Sequence, residues 1–155
     1  MNEKFMRDAS RISIQKMRAN HGGPSGAVVV RHGKIVGHGW NRVTSTNDPT
    51  AHAEINAIRN ACRRLKTVHL RDCELYTSCE PCPMCLAAIY WARLSKVFYG
   101  NTRRDVVKTK FEGDWIYREI TKPISKQRIP MKQLLPTEAI KAFAEWGKKK
   151  DKLLY

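Results

Sequence analysis

Acidic side chains are scarce in this chain: 14 Asp and Glu stand against 29 Lys and Arg among 155 residues, a formal net charge of +15 at pH 7. Such a field attracts nucleic acid, anionic surfaces or acidic substrates, although an inert basic surface has the same composition. Basic residues are spread along the chain, with tight runs only at CRRLK, NTRRD and WGKKKDK, and no RNA-reading motif of the RRM kind interleaves them with aromatics. Long apolar runs are missing too. AVVV and LAAIYWA are far too short to span a bilayer, and MNEKFMRDAS lacks the apolar stretch of a secretory signal. No membrane association is expected, and the location is read as cytoplasmic. Low-complexity tracts and internal repeats are absent. Cysteines number five (Cys62, Cys73, Cys79, Cys82 and Cys85), so one is left over if they pair. An odd count without a secretion signal argues for thiols or metal ligands rather than a disulfide framework.

What is present is a regular succession of elements. Apolar residues Phe5, Met6, Ala9, Ile12 and Met17 form one stripe of a helix over Glu3 to Arg18, which GGPSG then breaks. AVVVRHGKIVGHGW reads as a hairpin turning at His32–Gly33. A polar loop leads to a helix from about Ala51 to Leu65, then a strand CELYTS, a helix from about Pro83 to Arg93 and a strand KVFYG. A last helix is expected over Thr137 to Lys150. Strands separated by helices predict an α/β fold, a three-layer α/β/α sandwich around a central mixed sheet of about five strands. The length fits a single domain.

Two motifs carry the chemistry. PTAHAEINA sets His52 and Glu54 two apart at a helix start, and SCEPCPMC sets Cys82 and Cys85 three apart on one face of a second helix. Helical side chains lean towards their own N-terminus, so first-turn residues converge on a point beyond the helix end. Pro83 suits a first helical position, and the positive end of that helix favours thiolate at Cys82. One imidazole and two thiolates suit zinc, one ion per subunit. Three ligands leave one position for water, whose pKa falls to about 7 there. Glu54 is then placed to move that water's proton. The alternative is a closed site in which Cys79 joins His52, Cys82 and Cys85, leaving Glu54 without a task. Cys62 and Cys73 read as ordinary buried thiols.

H-x-E followed by P-C-x-x-C resembles the cytidine deaminase superfamily of zinc deaminases. NDPTAHAE, LYTSCEPCPMC, AIYWAR, VFYG and IYREI narrow the resemblance to the small bacterial guanine deaminases, from about Gly22 to Tyr117. The resemblance implies zinc on His52, Cys82 and Cys85, with Glu54 as proton shuttle. It further implies that Asn41 hydrogen-bonds a purine, that the Ala53 backbone faces the base, and that Trp91 lines the base pocket. It implies homodimers that exchange C-terminal segments (here about 136–155), with the terminal Tyr155 closing the neighbour's pocket.

Two departures fall on the substrate side. Ser25 stands where the family has an aromatic, and in FEGDWIY Gly113 stands where an acid is expected, so Asp114 or Glu112 would supply that carboxylate. Asp114 is taken as the catalytic candidate. The expected reaction is hydrolytic deamination of an amino-substituted nucleobase, guanine to xanthine and ammonia. Guanosine, another aminopurine, a pterin or an aminotriazine would suit the same chemistry. A tRNA adenosine deaminase, which would use the basic surface, and a zinc-stabilised binding module are the other readings; nucleic acid is not the favoured partner.

Overall fold

The computed structural model describes residues 2–108 and 113–153, which divide into two compact units, 1–114 and 115–155. In the first unit, α1 (Glu3–Arg18) precedes the hairpin β1 (Gly26–Arg31) and β2 (Lys34–Trp40), followed by a short α2 (Val43–Thr46) and α3 (Ala53–Leu65). Then come β3 (Cys73–Cys79), α4 (Pro83–Trp91), β4 (Lys96–Asn101) and α5 (Arg103–Val107). The sheet runs β2-β1-β3-β4, antiparallel at its first two pairings and parallel between β3 and β4. The mixed sheet therefore has four strands among the described residues, one fewer than expected. After β4, Thr102 and Asp105 form a reciprocal capping box that starts α5 instead of another strand.

Side-chain alternation along the strands divides the core into two layers. Ala27, Val29 and Leu75 face α3 and α4, packing with Ala53, Ala57, Ile58, Ala61 and Ile89. Val28, Val30 and Tyr76 face α1, where Phe5 lies 5.4 Å from the Tyr76 ring and Phe98 stacks on it at 4.7 Å. The sandwich thus has the three layers its sequence order predicts. α3 lies unusually close to β2 because both surfaces are small: a Cβ on Gly37 would stand 2.7 Å from the Ala61 side chain, and one on Gly39 2.3 Å from the Ala53 carbonyl oxygen. Glycine is needed at both strand positions for this approach.

α6 (Asp114–Ile120) starts at the last residue of the first unit; the rest of it, a single 3-10 turn (Ile124–Lys126) and α7 (Pro136–Lys148) fall in the second. Arg128 donates a backbone hydrogen bond to Glu119 and lies over the Trp115 ring. α7 leaves Ile140, Phe143 and Trp146 exposed. Among the described residues, no helix is long and apolar enough to cross a membrane.

Candidate metal centre and active site

α3 and α4 present their N-termini to the same place. His52 is the N-cap of α3 and Cys82 the N-cap of α4; both have extended backbones, and neither side chain makes the capping bond usual for that position. The extended backbone at His52 starts the helix at Ala53, two residues later than the sequence pattern suggests. Pro83 occupies the first turn of α4, as expected. Cys85, fully buried, sits one turn further along.

His52, Cys82 and Cys85 place one ligand atom each within 4.8 Å of one another, the one such group of His, Cys, Asp and Glu among the described residues. His52 Nδ1 lies 3.6 Å from Cys82 Sγ and 3.5 Å from Cys85 Sγ. A tetrahedral zinc with Zn–S of about 2.3 Å and Zn–N of about 2.0–2.1 Å requires N···S edges of about 3.6 Å. The donor set and its spacing fit zinc. Cys79, at the end of β3, lies outside the cluster, and burial pushes its thiol up to about 11. The closed four-ligand reading is therefore not supported.

Without a metal, the cluster keeps one thiolate, and zinc must displace the protons on the other two ligands. A hydrogen bond from Cys85 holds Cys82 down at about 4 despite burial, with His52 contributing. The proton of the pair stays on Cys85, whose thiol is pushed up by that bond and by burial. His52 is raised, chiefly by its hydrogen bond with Cys82. Two helix N-termini add positive potential where thiolates must form.

Glu54 is 4% exposed, in the first turn of α3. Its Oε1 accepts from the Thr77 hydroxyl at 2.9 Å, and its Oε2 lies 3.4 Å from Cys85 Sγ. Desolvation raises its pKa above the ordinary carboxyl value of 4.5. Thr77 was not singled out by the motifs. Its signal is strand alternation: it shares a face of β3 with Leu75, which points towards α3.

The other expected site residues divide. Asn41, buried, follows β2; its Oδ1 accepts from the Gly23 and Val43 backbone N–H groups at 3.3 and 3.2 Å. A Cβ on Gly23 would stand 3.4 Å from the same amide, so the turn before β1 approaches it closely. Ala53 is fully buried beside His52. Trp91 is not brought to the cluster. It closes α4 and is 69% exposed, at the end of a helix about 13 Å long whose start carries Cys82. Nine residues of helix lie between Cys82 and the C-cap that follows Trp91. Asp114 opens α6, its side chain lying outside the described ones, as do Glu112 and Tyr155.

Comparison with known proteins agrees with this geometry. Residues 1–101 match the family described as the cytidine and deoxycytidylate deaminase zinc-binding region. The chain is 48% identical over 145 residues to a guanine deaminase of Bacillus subtilis, covering 94% of this chain and 93% of that one. A crystal structure of guanine deaminase from the same organism superposes with a TM-score of 0.96 at 47% identity, over 100% of this chain and 99% of the other. A tRNA-specific adenosine deaminase of Buchnera aphidicola is 36% identical over 82% of each chain. The chain belongs to the zinc-binding cytidine and deoxycytidylate deaminase family of hydrolases, and within it to the bacterial guanine deaminases.

Proposed function

We propose that this enzyme hydrolyses guanine to xanthine and ammonia. One observation carries the reading: a buried carboxylate, Glu54, stands against a three-ligand cluster with the edge lengths zinc requires. Zinc, when bound, supplies a Lewis acid that makes water nucleophilic near neutral pH. Glu54 takes one proton from the attacking water and delivers it to the ring nitrogen beside C2. It then moves the second proton to the exocyclic amine. A C–O bond forms at C2, the C–N bond breaks, and ammonia leaves. The raised pKa of Glu54 suits a group that must accept and return a proton within one turnover.

Asn41 orients the purine. Its Oδ1 is committed to two backbone N–H groups, which leaves its amide N–H groups as donors to a ring nitrogen or carbonyl of the base. The Ala53 backbone faces the base, and Asp114 supplies the second carboxylate. The apolar side of α7, exposed in a single chain, supports a homodimer whose C-terminal segments exchange, so that Trp91 and Tyr155 act at a shared pocket. A guanine substrate is favoured over tRNA by the extent of the likeness: the guanine deaminase of Bacillus subtilis is matched at 48% identity over 93% of its length.

An ammonia-release screen over guanine, guanosine, adenine, cytosine, aminotriazines and a tRNA stem-loop tests this, each run at about 50 and 500 mM salt. Guanine should be turned over fastest, with little salt dependence because the base is neutral. Release from the stem-loop alone, falling steeply with salt, would replace this reading with RNA editing.

A further inference from the structure

Asn56 lies in the second turn of α3, half-buried, facing the end of β2. Its Nδ2 donates to two carbonyl oxygens, Trp40 at 2.9 Å and Ala51 at 3.1 Å. Carbonyls only accept, so the orientation of the amide is fixed by its partners. Each partner immediately precedes a site residue: Trp40 precedes Asn41, and Ala51 precedes His52. The Arg42 N–H donates to the same Ala51 oxygen at 2.9 Å. The polar loop between Asn41 and Ala51 is thereby closed at its base, with Asn56 bridging both ends.

The next turns of α3 do something different. Asn60 Oδ1 accepts from the His38 N–H at 3.1 Å, and Arg64 reaches the Ile35 carbonyl at 3.4 Å. Those bonds satisfy the open backbone of edge strand β2 and lead nowhere near the cluster. Asn56 instead joins two separate stretches of chain, both entering the site.

We propose that Asn56 is a positioning residue that holds the purine-binding Asn41 and the metal-ligating His52 in fixed relation. Asn41 aims its amide through backbone N–H groups on either side of it, so a shift of the Trp40 carbonyl turns the donor away from the base. The Ala51 carbonyl that Asn56 holds belongs to the peptide unit entering His52, so it fixes the backbone from which the ring reaches the two sulfurs. The Asn41 half rests on the deaminase reading above. The His52 half rests on the cluster geometry alone.

The test compares Asn56→Leu and Asn56→Asp with Asn60→Leu. The aspartate is isosteric but sets acceptors against two carbonyls, and Asn60→Leu removes a bond of the same kind one turn along the same helix. Three quantities are read on the zinc-loaded chain: the rate of zinc transfer to a coloured chelator, KM and kcat for guanine, and Tm. Both Asn56 variants should release zinc about tenfold faster, since partners that orient ligands typically cost 10–100-fold in affinity. Their KM should rise about tenfold with kcat within about threefold, the pattern of lost ground-state binding. Asn60→Leu should lower Tm comparably and leave zinc transfer and KM as in the wild type. Unchanged zinc transfer and KM in both Asn56 variants, or equal changes in Asn60→Leu, would overturn the proposal. Should the wild type release no ammonia from guanine, the deaminase reading falls, and zinc transfer alone decides the role of Asn56.

Discussion

Glu54 is 4% exposed, and burial outweighs its hydrogen bonds to a backbone N–H, the Thr77 hydroxyl and the Cys85 thiol. Its folded pKa therefore lies above 4.5. The stability associated with the protonated form is fully present below about 4.5 and is lost as pH rises through the raised folded value. Glu54→Gln removes that loss. In chelated protein the variant should melt several degrees higher than the wild type at pH 8 and no higher at pH 4. The same variant, loaded with zinc, should keep one ion per chain and lose turnover by about 10²–10⁴-fold, the usual worth of a positioned acid–base group. Retained turnover, or an equal gain in Tm at both pH values, would contradict the assigned role. His52, Glu54, Cys82 and Cys85 were legible in the sequence as two helix-start motifs, with Cys79 left open as a further ligand. Thr77 and Asn56 were not. Each acts across more than ten residues of sequence, through a bond that exists only after α3 has docked on the sheet.

At the level of elements, the site depends on how closely α3 lies on β2. Gly37 and Gly39 oppose Ala53, Ala57 and Ala61, and this flat contact fixes the helix start that carries His52. A Cβ at position 39 would stand 2.3 Å from the Ala53 oxygen and 2.4 Å from the Ala57 nitrogen. Gly39→Ala should cost about 1–3 kcal/mol in denaturant unfolding, as overpacking does, and should also speed zinc loss, because Ala53 follows His52 directly. Gly147→Ala is the contrast: its Cβ meets nothing within 4 Å, and it should stabilise α7 slightly. Equal effects of the two changes would show that the contact does not govern the site. The hairpin and the order of elements could be read from alternation and turn residues. That the described residues form four strands and not five could not. NTRRD offered no periodicity, and only the reciprocal Thr102–Asp105 bonds show that a helix starts there.

For the whole molecule, the net charge of +15 remains outside the chemistry: guanine is neutral, and the cluster joins the buried Cys85 to the half-buried His52 and Cys82. Net charge of this size acts on association and solubility. What unites the fold with the function is the placing of two helix N-termini after β2 and β3, the strands on either side of β1, one bringing an imidazole and a carboxylate, the other two sulfurs. The decisive measurement is X-ray absorption at the zinc edge of the fully loaded chain, with the metal content determined on the same sample. One zinc per chain, with two sulfur neighbours, one imidazole and a light fourth neighbour, is the result predicted. Three sulfurs around the metal, or no stoichiometric zinc, would contradict the account.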